Sequence, residues 1–296
     1  MRARFMVILS LGLISCAKTP SISAPAAAAS EDLDAAVHIE KADALWSQRA
    51  EEDVLQEILA AYELAFAADP TSRHALVRLT RGWYFWGDAF SEDKDTKVER
   101  WSRALEFGNA CVGLNSAVAQ QLASGTRPAD AIGAAEKEDV GCIYWTATAL
   151  GKWGKIQSLS KTLKHLPTVK AYEAKAEELD PTYYHYGPAR YWAAYYAALP
   201  SFAGQDYEKS ASYFDAAIEA APYYLPTRVL RAEYLAVGTQ DVSLFDTDLA
   251  AVIQADPNGN PDAGITAENI KDIEKAKKLV AKRAEFFDKQ ALENAQ

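Results

Sequence analysis

Five times between residues 58 and 257 the same packing pattern returns: a small residue, an aromatic after three intervening residues, a second small residue after two, then a proline after four. Ser210, Phe214, Ala217 and Pro222 fit it fully, and Ile58, Tyr62, Ala65 and Pro70 fit with a larger first residue. Phe245, Leu249, Val252 and Pro257 keep the spacing, as do Val169, Glu173, Ala176 and Pro181. Ala104, Gly108 and Cys111 fill the gap between them, with Ser116 where the proline would stand. Small residues let one helix approach another closely, the aromatic fills the space beside them, and proline stops the helix because it has no N–H to give. Asp69-Pro70, Asp180-Pro181 and Asp256-Pro257 have that helix-ending form, and no run of alternating β-branched residues suggests a strand.

The order of these positions resembles the second helix of a tetratricopeptide (TPR) hairpin. The expected fold is therefore all-α, a TPR-like α–α superhelix of about five helical hairpins over residues 32–296, with inserted segments near 117–140 and 258–270. The units start 46, 65, 41 and 35 residues apart, so only the last interval approaches a regular array.

The first thirty residues have a different logic. Arg2 and Arg4 precede an apolar stretch from Phe5 to Ile14, about ten residues where a spanning helix needs roughly twenty. It ends in Leu13-Ile14-Ser15-Cys16, which resembles a bacterial lipobox, so residues 1–16 read as a signal peptide and Cys16 as the lipid-accepting residue. Several acyl chains on Cys16 would hold the chain to a membrane, each buried methylene adding roughly 0.8 kcal/mol. Residue 17 is alanine rather than aspartate, which points to the periplasmic face of an outer membrane. Residues 17–31 are rich in Ala, Pro and Ser and read as a tether without a core of its own.

The formal charge of the chain is −10; removing Arg2 and Arg4 leaves 29 of the 31 basic side chains against 41 acidic ones. An excess of twelve negative charges opposes phosphate backbones and excludes nucleic acid as a partner. Two cysteines remain beyond Cys16. Cys111 and Cys142 form either a disulfide closing a loop of about thirty residues or two buried thiols on separate helices. His38, His74, His165 and His185 are scattered, no metal-binding spacing is present, and no nucleophile elbow or phosphate-cradling glycine loop occurs. The chain reads as a non-enzyme with no cofactor and no metal.

Its aromatic residues are concentrated where the first helices of the hairpins should lie. Leu76, Leu79, Trp83, Trp86 and Phe90 share one helical face, with Val77, Tyr84 and Phe85 to either side of it. Tyr191, Tyr195 and Ala198 form a stripe beside Trp192, Tyr196 and Leu199, and Tyr144 and Trp145 precede Trp153 in a third such helix. Two readings are open. Either the second apolar face of each helix is core, or Trp83, Trp86, Tyr144, Trp145, Trp192 and Tyr196 line a groove that holds a ligand. Asp88, within Trp86-Gly87-Asp88, either orients that ligand or makes a structural hydrogen bond or ion pair.

Trp83 to Phe90 followed by Arg103 to Asn115, the Tyr144-Trp145 block with Trp153, and Leu179-Asp180-Pro181 together resemble the TatT family. So do the helix from Tyr191 to Pro200, the stretch from Tyr207 to Ala221, and Arg228 to Asp256 with its Gln240 to Phe245 segment. The resemblance covers roughly residues 35 to 257, and the part beyond Pro257 reads as an extension. TatT proteins are the TPR-containing T components of TRAP transporters. The resemblance implies a periplasmic, lipid-anchored homotrimer that docks a TRAP-type periplasmic solute-binding protein and passes an apolar or organic-acid ligand through a pore. The alternative class is a TPR scaffold lipoprotein that joins envelope proteins and holds no ligand.

Overall fold

The computed structural model describes residues 34–295, so Cys16 and the tether lie outside the described residues. Within the described residues the chain is all-α, with no strand. Asp34 caps α1 (Ala35–Leu45) by accepting from the Ala36 N–H, and α2 follows at Glu52–Ala68. Ser72 and Asp93 cap α3 (Arg73–Ala89) and α4 (Lys94–Val112) in the same way. Each cap satisfies a backbone donor that the helix cannot, worth about 1 kcal/mol.

The segment expected as an insertion near 117–140 holds two short helices, α5 (Ser116–Ala123) and α6 (Pro128–Ala131), and two 3-10 turns. Two long helices come next, α7 (Val140–Gln157) and α8 (Leu159–Leu179), then α9 (Tyr183–Ala198) and α10 (Tyr207–Ala220). A helix opens with α11 (Pro226–Leu230), widens into a π-helical stretch over Arg231–Ala236 and closes with α12 (Val237–Thr239). After it come α13 (Val242–Gln254) and α14 (Thr266–Ala281), then the short α15 (Arg283–Phe286) and α16 (Lys289–Asn294).

Consecutive helices pack as five pairs: α1 with α2, α3 with α4, α7 with α8, α9 with α10, and the α11–α12 helix with α13. The recurring pattern lies on the second helix of every pair. Tyr62 and Phe214 occupy its aromatic position, Leu249 stands there on α13, and all three are fully buried, as are the small residues Ala65, Ala104, Ala176 and Ala217. Each of those aromatic rings contributes about 2 kcal/mol or more by leaving water. α2 and α8 stop at the residue before their Asp-Pro, as the sequence leads one to expect.

At α8 the pattern's aromatic position holds Glu173, whose side chain is as buried as the rings it replaces. Neither carboxylate oxygen has a hydrogen-bond partner among the described residues. Burial therefore pushes its carboxyl far above the usual range, and Arg190 only partly opposes that.

The structure joins Cys111 of α4 to Cys142 of α7 in a disulfide, with the Cα atoms 5.3 Å apart. That bond sits where the second pair passes to the third, across α5 and α6.

Candidate functional site

A cavity of about 930 Å³ opens between α3, α7, α8, α9, the π-helical stretch and α14. Its walls differ in chemistry. α8, α9 and the residue after it supply Leu159, Leu163, Leu166, Val169, Ala194, Ala198 and Leu199, a mainly apolar surface interrupted by Thr162, His165, Tyr191 and Tyr195. Leu159 and Leu163 are 62% and 48% exposed, so the apolar wall continues out through the mouth. The facing wall carries charge. Nine of the lining side chains are lysine or arginine and five are aspartate or glutamate, an excess of cations inside a strongly acidic chain.

At the closed end the backbone does something unusual. Tyr184, His185 and Tyr186 take left-handed angles in succession, with φ of 47°, 56° and 59°. Each such residue costs roughly 1–2 kcal/mol when it is not glycine, so the turn needs support from outside. Arg190 provides it, donating to the His185 carbonyl at 2.9 Å and the Tyr184 carbonyl at 3.2 Å. The turn aims Tyr184 into the cavity floor, where its hydroxyl accepts from Arg81 at 2.9 Å and its ring meets Trp145 edge-on at 4.5 Å. His185 stacks on Tyr224 at 5.2 Å. Burial and the guanidinium groups of Arg190 and Arg81 push its imidazole down to about 4, so it is neutral and serves packing. Gly187 follows because a Cβ there would stand 2.6 Å from the Tyr144 ring.

Arg190 itself is 5% exposed and makes no ion pair among the described residues; its remaining partner is the Tyr144 hydroxyl at 3.1 Å. Arg81 does have one. Glu268 of α14 accepts from Arg81 at 2.8 Å and is clamped by Arg49 from the corner after α1. Burial opposes a charge on Glu268, but the two guanidinium groups outweigh it and hold its carboxyl at about 2. This triad fastens α14 across the cavity.

Midway along the charged wall lies a second cluster. Asp88 pairs with Lys152 at 2.7 Å, Glu233 pairs with Lys275 at 2.6 Å, and Lys155 donates to the Tyr234 hydroxyl at 2.8 Å. Burial opposes the Asp88 charge, yet Lys152 and Lys275 hold its carboxyl at about 2. Asp272 stands among them with no hydrogen bond or ion pair among the described residues.

Of the residues singled out from the sequence, Asp88, Tyr144 and Trp145 line the cavity. Trp83, Trp86, Trp192 and Tyr196 do not. Trp83 and Trp86 face away toward α2 and α4, their indole N–H groups donating to Glu63 and Glu52. Trp192 is bound to Glu177 at 2.8 Å, and Tyr196 stacks on Tyr213 at 6.1 Å. On α3 the cavity takes the neighbouring face, Arg81, Tyr84, Phe85 and Asp88. All three tryptophan indoles are hydrogen-bonded to glutamates outside the cavity lining.

Sequence reasoning also passed over Arg81, Arg190, Lys152, Asp272 and Lys275. The signal that was present is α14, where Lys271, Lys275, Lys278 and Lys282 recur at helical spacing within an acidic chain. No described helix is long and apolar enough to cross a membrane.

The chain matches the TRAP transporter T-component family (TAtT) over residues 50–287. The match runs thirty residues past Pro257 (to 287 from 257), so α14 is part of the family's domain and not an extension to it. No curated protein matches the chain.

Proposed function

The chain belongs to the TRAP transporter T-component family, and we propose that it is the lipid-anchored periplasmic member of such a system, holding an organic ligand in the α3–α14 cavity. The observation that carries this reading is the cavity's division into an apolar wall and a cation-rich wall. Its volume, about 930 Å³, lies in the range of small-molecule sites. A ligand that fits both walls is an amphiphilic organic acid, its hydrocarbon or aromatic part against Leu163, Leu166 and Val169 and its anionic group toward Lys152, Lys275 or Arg190. Asp88, Tyr144 and Trp145 shape the site, Asp88 through the lysine it holds in place.

In this reading Cys16 carries the acyl anchor, most consistently in the inner leaflet of the outer membrane, and residues 17–31 give the domain reach. The domain is a homotrimer that docks a TRAP-type solute-binding protein. Exposed Leu159 and Leu163 at the cavity mouth support a ligand passing between two proteins there, because they extend the apolar wall to the surface.

Native mass spectrometry of protein purified with minimal washing tests stoichiometry and retained ligand together. Titration with the solute-binding protein encoded nearest to this chain tests the partner. A ligand-free monomer that ignores that protein at tens of micromolar would refute the proposal, and co-purification with several unrelated envelope proteins would favour the scaffold class.

A further inference from the structure

The charged cluster on the cavity wall has an arithmetic that the ligand reading leaves unexplained. Three carboxylates, Asp88 and Asp272 on the cavity wall and Glu233 beside it, share two half-buried lysines. Lys152 is committed to Asp88 at 2.7 Å and Lys275 to Glu233 at 2.6 Å. Asp272, one turn before the site where α14 presents Lys275, is left over. No group donates to it among the described residues, and it faces the cavity directly.

We propose that Asp272 sets the charge the cavity accepts: neutral, it lets an anionic ligand lie along the lysine wall, and ionised, it opposes that ligand. This rests on the cavity being a ligand site. Every element around Asp272 contributes to its balance. α3 brings Asp88 and Tyr84, α7 brings Lys152 and Lys155, the π-helical stretch brings Glu233 and Tyr234, and α14 itself brings Lys275. Burial pushes the Asp272 carboxyl up, Lys275 draws it back, Asp88 and Glu233 push it further, and the balance lies at about 7. A periplasm follows the pH of its surroundings, so a group at that position changes charge in service.

The consequence is proton-linked capture. An anion entering the cavity adds a negative charge near Asp272 and favours its protonated form, so binding takes up a proton. At a separation of roughly 8 Å and an effective dielectric of about 20–40, that interaction moves the carboxyl by about one pH unit. Affinity for an anion therefore weakens by about fivefold between about pH 6 and about pH 8.5. A neutral ligand of the same shape should hardly respond.

Two fluorescent probes separate these cases, 8-anilinonaphthalene-1-sulfonate and its uncharged counterpart N-phenyl-1-naphthylamine, titrated against the purified full-length protein. The sulfonate's Kd is expected to rise about fivefold over that pH range while the neutral probe's changes by less than about twofold. Asp272→Asn, which has the shape of the protonated acid, should keep the low-pH affinity for the sulfonate at both pH values. Ala194→Trp, which fills the cavity, should remove both probes. A sulfonate Kd that is flat with pH, or that varies identically in the Asp272→Asn protein, overturns the proposal and leaves the ligand cavity standing. If neither probe binds, or both survive Ala194→Trp, the cavity reading fails along with it.

Discussion

Glu268→Gln should loosen the whole site, because among the described residues Glu268 is the only carboxylate paired with both Arg49 and Arg81. The side chains of Arg49 and Arg81 are 1% and 11% exposed, so removing the charge leaves two guanidinium groups close together with little water. The size of the effect follows from the carboxyl itself. It lies at about 2 in the folded protein against 4.5 for an unperturbed glutamate. At roughly 1.4 kcal/mol per unit, the charged form contributes about 3 kcal/mol. The sign is fixed by the depressed value: this stability is fully present above about pH 4.5 and is lost as the pH falls toward 2. Breaking a buried pair by removing one partner typically costs about 3–5 kcal/mol, which agrees. Urea denaturation of wild type and Glu268→Gln at about pH 7 should therefore differ by about 3 kcal/mol, and the gap should close as both are taken toward about pH 3. For a domain of this size the variant should melt lower by very roughly 6–12 °C. A loss below about 1 kcal/mol at neutral pH, or a gap that does not narrow in acid, would refute the reasoning that the triad fastens α14 across the cavity.

Other outcomes follow from single contacts. Cys142→Ser, or reduction of the wild type, should lower stability by about 3–4 kcal/mol, since the bond to Cys111 closes a loop of 31 residues; reduction without effect on the melting curve would show that it contributes nothing. Gly187→Ala should weaken binding of either naphthalene probe by about tenfold or destabilise the fold, because the added methyl meets the Tyr144 ring at 2.6 Å. Asp272→Asn should stabilise the protein by about 2 kcal/mol at about pH 8, after allowance for partial solvent screening, and by almost nothing at about pH 4. The folded carboxyl lies above the value of 3.8 it has when unfolded, so the wild type loses stability as the pH rises from there to about 7. Cys16→Ser should leave an uncleaved, unacylated precursor; a processed and unacylated wild type would remove the anchor from the proposal.

The five hairpins could be read from the chain because their determinants are local. Ser210, Phe214, Ala217 and Pro222 are a packing site and a stop signal within thirteen residues, and the structure buries the first three completely. The cavity could be read only in part. Tyr144 and Trp145 line it, but which face of α3 points inward depends on what packs against the other face. Trp86 is turned outward by Glu52 and by Arg100, whose guanidinium lies 4.0 Å above its ring. No spacing within α3 contains that information. α14 was harder still. A helix with lysine at 271, 275, 278 and 282 has the periodicity of a solvated face, and only its clamp through Glu268 turns that face toward Asp88 and Lys152.

Where this chain departs from its own local rules, the departures converge on one place. Glu173 stands where Tyr62 and Phe214 supply the aromatic in two of the other pairs, and Arg190 and Thr148, which both act on it, line the cavity. Tyr184, His185 and Tyr186 enter the left-handed region without a glycine, and Tyr184 lines the cavity. Among the described residues the one helix that widens to π geometry does so over Arg231–Ala236, and that stretch presents Tyr234 to the same cavity. Asp272 has no ion pair among the described residues, where Asp88 and Glu233 each have a lysine. Each feature costs stability that a helical bundle could avoid with leucine, glycine or a regular turn, by roughly 1–3 kcal/mol apiece. A structure built only for packing would scatter such costs or remove them. Their concentration around one partly apolar, cation-rich space is what a binding site leaves in a fold otherwise consistent at every level.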